Sequence, residues 1–192
     1  MQARLKEGTS LADSTDSKDD FSPGGKVPTI LGIDPSLRGT GYGVICGRAS
    51  RFITLAQGTI QCRKTWTHSR CLAHIGETLD EVLRETKPTV CVVEGLFFAQ
   101  NIKTAIVMGE ARGAAMSVVA RTGISIYEIS PRKVKQAIVG YGAAQKEAVS
   151  KMVQRMLELA EQPDPDAADA LALALTFAQE QGPHRLNQPK EI

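Results

Sequence analysis

Four carboxylates stand out for the company they keep. Asp34 follows the apolar run 29–33 (TILGI), and Glu94 follows the β-branched run 89–93 (TVCVV). Asp166 and Asp169 lie at the head of QPDPDAADALALAL, residues 162–175, which is almost wholly apolar from Ala167 onward. Unpaired buried charge is expensive. Part of the pattern has a structural explanation: Asp164 suits a helix N-cap, Pro165 the first helical position, and Asp166 gains from the helix dipole. Asp169 is not covered by it. It stands three residues on, about 60° round and ~4.5 Å along the axis, so it shares a face with Asp166. Carboxylates crowded into one site repel, and at neutral pH they hold a proton or require a cation. An oxygen-only donor set suits Mg²⁺ or Mn²⁺. Two such ions, ~3.5–4 Å apart, would support in-line attack of water on a phosphodiester, one at the water and one at the leaving 3′-oxygen.

Bringing these acids together requires particular elements. Residues 29–33 read as a buried strand, with further strands at 41–46 and 52–60 after Gly-rich or polar turns. Leu72, Ile75, Leu79, Val82 and Leu83 recur at helical spacing over 69–85, and Lys87-Pro88 stops that helix. A strand over 89–93 follows, then a helix over 103–121 whose Gly109, Ala111, Gly113, Ala114 and Ala115 permit close packing, including against a second subunit. Residues 124–129 read as a strand, Pro131 opens a short helix, 145–160 is amphipathic, and a last helix spans 165–179. Three strands followed by alternating helices and strands give an α/β fold, a mixed central sheet flanked by helices. Strand-end acids in such sheets lie where ligand sites concentrate.

Composition sets the boundaries. The 192 residues suit one domain, over 29–181, between a disordered leader at 1–28, rich in Ser, Asp, Lys, Gly and Pro, and a flexible tail at 182–192. No window of ~18 apolar residues exists to span a membrane, which points to a cytoplasmic protein. Cys46, Cys62, Cys71 and Cys91 form no CxxC pair and read as reduced thiols; Cys62, His68, Cys71 and His74 do not have zinc-ligand spacing. Net charge is only +2, yet Arg132, Lys133, Lys135, Lys146, Lys151 and Arg155 face a single acid, Glu147, between Ser130 and Arg155. Such a surplus suits an anionic partner or a solvated helix face.

Five segments in order carry a family resemblance: ILGIDPSLRGTGYGVI, VVEGLFFAQN, GEARGAA, SPRKVKQAIVGYGAAQKEAV and DAADALALAL. From about Ile30 to Phe177 the chain resembles the RuvC-type Holliday-junction resolvases of the RNase H-like nuclease superfamily. The resemblance implies an RNase H-like layered fold and a homodimeric endonuclease that nicks two opposed strands of a four-way junction in recombination and repair. It implies Asp34, Glu94, Asp166 and Asp169 as catalytic metal ligands for two Mg²⁺ ions, with Mn²⁺ substituting. Lys146 becomes the catalytic cation nearest the scissile phosphate, where an ammonium neutralises developing charge. Lys135 approaches the DNA backbone, Phe97 stacks on unpaired bases, and Arg38, Arg132 and Lys133 fall on basic positions assigned to DNA. A RuvA/RuvB-type branch-migration complex is the implied partner.

Two positions depart from the family pattern: Ser36 stands where Gly is usual and Gly95 where Gln is frequent. Neither is a metal ligand. Two other readings compete. GIDPSLRGTG has the character of a phosphate-gripping hairpin of actin or sugar-kinase type, but the chain is short for two such lobes. A non-catalytic junction-binding protein would have lost a ligand, and all four are present.

Overall fold

Alternation along the first strand sorts the molecule into two layers. In β1 (Thr29–Asp34), Leu31 and Ile33 join one buried core while Ile30 joins another on the opposite face. The computed structural model, which describes residues 27–48, 51–95, 101–180 and 189–192, builds both cores on one six-stranded sheet. Strands β2 (Gly39–Arg48) and β3 (Arg51–Gln61) continue from β1 as an antiparallel meander. Strands β4 (Val90–Glu94) and β5 (Ser125–Ile129) add in parallel on its other side, and β6 (Lys190–Glu191) pairs antiparallel with β5. The order is β3-β2-β1-β4-β5-β6, a mixed sheet.

Helices α1 (His68–Thr86) and α2 (Ile102–Ala120) cover the face carrying Leu31, Ile33, Cys91 and Val93. Helices α3 (Pro131–Val139), α4 (Lys146–Met156) and α5 (Pro165–Glu180) cover the face carrying Ile30, Ile45 and Val92. Local signals start and stop these helices where the sequence suggests. Asn101 Oδ1 accepts the Thr104 N–H at the head of α2, Ser130 caps α3 ahead of Pro131, and Lys87 turns left-handed (φ 46°) before Pro88 to close α1. Two expectations need correction. The helix expected to reach residue 160 ends at Met156, because Glu158 adopts a left-handed backbone (φ 50°) and Leu159 N–H turns back to the Gln154 carbonyl. The tail expected to be loose from 182 instead ends in β6, where Lys190 and Glu191 pair with Glu128 and Tyr127 and give the edge of β5 a partner. The expected leader lies outside the described residues, apart from its last two positions.

The placement of α5 decides the site. The helix lies directly on the backbone of β1 and β2. A methyl group at Gly32 would overlap the Ala170 carbonyl oxygen, and one at Gly41 the Asp166 carbonyl oxygen. At Gly43 it would meet Leu171 Cδ2 at 2.6 Å. The facing helix positions Ala167, Ala170 and Ala174 are small and fully buried. Glycines and alanines therefore bring the first turn of α5 against the end of β1, since Asp34 is the register partner of Gly41. Gly41→Ala should lift that turn off the sheet and lower the unfolding free energy by at least about 1–3 kcal/mol, measured by urea denaturation.

Candidate active site at the ends of β1 and β4

In the parallel β1–β4 pair Ile33 lies opposite Val93, so the next residues, Asp34 and Glu94, leave the two strands side by side on the α5 face. Their side chains share a hydrogen bond, and Asp169 of α5 adds a third negative charge to both. Burial is the largest influence on Asp34; with the charges of Glu94 and Asp169 it pushes the carboxyl from 3.8 up to about 8. Burial also raises Glu94, against the opposing hydrogen bond from Asp34 and the charges of Lys146 and Lys135. Burial and mutual repulsion thus favour a proton on this pair in the absence of a cation. Asp166 is raised too, by burial first, although Lys146 works against the shift. Its carboxylate lies to one side, over Gly39 of β2, where a Cβ would stand 2.7 Å from Oδ2.

Lys146 supplies positive charge to this cluster. Nζ donates to Asp169 Oδ2 at 2.7 Å, and that bond raises the lysine above its usual value. It is the first residue of α4, where a cation opposes the helix dipole, and Gln145 before it offers no side-chain cap. The helix thus starts poorly by local rules, and the acids opposite offset the cost. Lys135 of α3 and Lys146 line, with Glu94, Val134 and Asp169, a cavity of about 260 Å³ beside the acids.

Other basic positions assigned to DNA are placed differently. Arg38 Nη1 donates to the carbonyls of Arg63 (2.7 Å) and Trp66 (3.2 Å) and to Cys71 Sγ (3.2 Å), so it ties the loop after β1 to the β3–α1 connection. Lys133 is paired at 2.7 Å with Glu180, at the opposite end of α5 from Asp166 and about 20 Å from it along the axis. Arg132 is exposed, its stem close to Gly142 in the α3–α4 connection. Lys151 pairs with Glu147 across one turn of α4. The basic surplus between residues 130 and 155 is thus largely answered by acids, with Lys135 and Lys146 turned toward the carboxylates. Phe97 lies outside the described residues. Of the zinc set weighed above, Cys62 and Cys71 are buried neighbours, whereas His68 faces Glu110 and His74 stacks edge-on against Trp66.

The departure at Ser36 is accommodated simply. Its backbone stays out of the left-handed region, its N–H donates to Thr40 Oγ1, and Thr40 returns a bond to the Ser36 carbonyl. Two residues beside the site escaped the sequence reading: Arg112 of α2 and Glu128 of β5, joined at 2.5 Å with Arg112 also donating to the Glu94 carbonyl. Their signal was present, as an arginine among the small residues GEARGAA and a lone charge in the strand SIYEI.

Carboxylates stand at the ends of two central strands and on the helix laid across them, in a mixed sheet of RNase H-like order, and the relatives of the chain are nucleases. The family model for the crossover junction endodeoxyribonuclease RuvC matches residues 30–177. The RuvC of Nitrosomonas eutropha is 43% identical over 156 residues, covering 81% of this chain and 87% of that one. The Akkermansia muciniphila RuvC is 43% identical over 147 residues, covering 77% and 88%. The structure of T. thermophilus RuvC in complex with Holliday junction substrate superposes with a TM-score of 0.78 at 32% identity, covering 86% of this chain and 99% of that one. The yeast mitochondrial Holliday junction resolvase Ydc2, at 15% identity and TM-score 0.59, shares the fold. This chain belongs to the RuvC family of crossover junction endodeoxyribonucleases, a family of divalent-metal-dependent nucleases.

The raised acids have a consequence for stability. Between about pH 4 and pH 8 the folded state keeps a proton on Asp34 that the unfolded chain has shed, so stability without metal falls as pH rises through that window. Asp34→Asn should flatten the fall and unfold at a higher temperature than the parent at pH 8 in EDTA. A variant no more stable than its parent there would show that the carboxylate is not held at a cost.

Proposed function

We propose that the chain resolves four-way DNA junctions by hydrolysing one phosphodiester in each of two opposed strands, with Asp34, Glu94, Asp166 and Asp169 holding two Mg²⁺ ions per site and Mn²⁺ able to replace them. The observation that carries this reading is the buried, hydrogen-bonded Asp34–Glu94 pair beside Asp169, with lysines as the counter-charge. Oxygen-only donors in surplus negative charge are what a hard divalent cation neutralises. Among the described residues no three acids, histidines or cysteines converge on one point as they stand. Ligation therefore requires Asp169 to turn from Lys146 and Asp166 to swing from above Gly39. When bound, such ions supply an ionised water at neutral pH and charge at the leaving oxygen.

The chain's own residues do the rest. Asp34 and Glu94, fixed by strand ends, would hold the cation as carboxylates, their proton passing to solvent on binding. Lys146, two-thirds exposed on a flexible stem, exchanges Asp169 for a non-bridging phosphate oxygen and neutralises charge growing in the transition state. Lys135, across the small cavity, takes the neighbouring backbone phosphate. Phe97 keeps the stacking role that the resemblance assigns, and Arg132 remains available to the backbone; Arg38 and Lys133 serve the fold first. Cutting two strands requires two sites related by symmetry, hence a homodimer. The surface for it is the outer face of α2, where Ile102 and Ile106 are 80% and 56% exposed and nothing lies within 4 Å of a Cβ at Gly109 or Gly113. Association with a RuvA/RuvB-type branch-migration complex follows from the resemblance. Among the described residues no helix is long and apolar enough to cross a membrane.

A synthetic four-way junction should be nicked in pairs near the crossover with Mg²⁺ and left intact with EDTA, while duplex DNA survives both. Asp166→Asn should bind the junction without cutting it; normal cutting would overturn the acid assignment. Lys146→Met should slow cleavage by about 10²–10³-fold at unchanged junction affinity. Ile106→Glu should sediment as a monomer and lose paired nicking.

A further inference from the structure

Glu94 is shaped from behind the sheet. The Gly95 N–H donates to the Ile129 carbonyl of β5 at 2.9 Å. Across a trans peptide the Glu94 carbonyl must therefore point the other way, toward β1. The β1–β4 ladder ends at Ile33–Val93, and the residue following Asp34 on that side is Pro35, which has no N–H to donate. The Glu94 carbonyl would be left without a strand partner. Arg112 Nη1 donates to it instead, and Nη2 donates to Glu128 Oε2 at 2.5 Å.

The arginine comes from α2, on the face of the sheet opposite the acids, and it is only 9% exposed. A buried guanidinium in a helix of small and apolar residues is costly unless its donors are used. Its rigid planar fork is pre-organised for two acceptors set apart in one plane, whereas a lysine ammonium is a compact point charge on a flexible stem. Gly95 lies against the same carboxylate: a Cβ there would stand 3.2 Å from Glu128 Cγ, a tight contact that the Glu128 side chain would have to ease by a few tenths of an ångström.

We infer that Arg112 is a positioning residue for the metal site, fixing the Glu94–Gly95 peptide and with it the direction in which the Glu94 side chain leaves β4, while Glu128 holds the guanidinium in place. The inference rests on the reading of Glu94 as a metal ligand. A partner one shell out from a ligand typically changes metal affinity by about 10–100-fold when removed.

The test is a titration of the full-length chain with Mn²⁺ alone, followed by the rise in unfolding temperature, beside the Mg²⁺ dependence of junction cleavage. Arg112→Met should raise the half-saturating concentration about 10–100-fold in both, with junction affinity in EDTA unchanged. Arg112→Lys should recover only part of it. Glu128→Gln, which keeps an acceptor for the guanidinium and risks less in folding, should shift it in the same direction by less. Val118→Ala, a buried position on the same helix outside the site, serves as a control for lost stability alone and should leave the half-saturating concentration where it was. Arg112 and Glu128 variants that titrate like the parent, or a Val118 variant that shifts as far, would overturn the inference. An unaltered chain that shows no Mn²⁺ response would overturn the metal-site reading and this inference together.

Discussion

The contact on which the rest of the structure depends is the one between the backbone of α5 and the backbones of β1 and β2. Gly32, Gly41 and Gly43 present no side chains toward the helix, and Ala167, Ala170 and Ala174 present little in return. Larger side chains would hold the helix further off, and its first turn would no longer reach the ends of the strands. Because Gly41 is paired with Asp34, the point of closest approach is also where the acids meet. Packing and chemistry are here one constraint: the apolar run behind Asp169 is the mount, and the glycines set its height.

That closeness has an electrostatic cost that the fold does not remove. Asp34 and Glu94 leave adjacent strands in register, already desolvated, and Asp169 is set opposite them. The molecule tolerates this by hydrogen-bonding Asp34 to Glu94 and by starting α4 on a lysine, a poor choice for the helix and a good one for its neighbours. Arg112 makes a similar concession on the opposite face. In each case a local rule is broken beside the same cluster, as expected where function rather than stability selects the residue.

Much of this was legible in the sequence, for physical reasons. Alternating and 3.6-residue periods marked the strands and helices, and Pro131 and Pro165 marked helix starts. The four acids were visible because each interrupts or ends an apolar run. What stayed hidden depends on pairing across the fold. Arg38 and Lys133 read as positions for DNA along the chain, but the partners they have in the fold, the Arg63 carbonyl and Glu180, are set by tertiary contacts. Arg112 was passed over inside a small-residue motif because its two acceptors come from strands on either side of α2 in the sequence. The break at Glu158 could not be read from an amphipathic pattern that continues past it.

The most direct test of the account is anomalous diffraction from crystals of the protein soaked in Mn²⁺ with a non-cleavable junction. Two manganese peaks about 3.5–4 Å apart among Asp34, Glu94, Asp166 and Asp169, with Lys146 turned away from Asp169 toward phosphate, are the predicted result. Junction bound across these strand ends with no manganese between the acids, in a protein that still cuts, would contradict it.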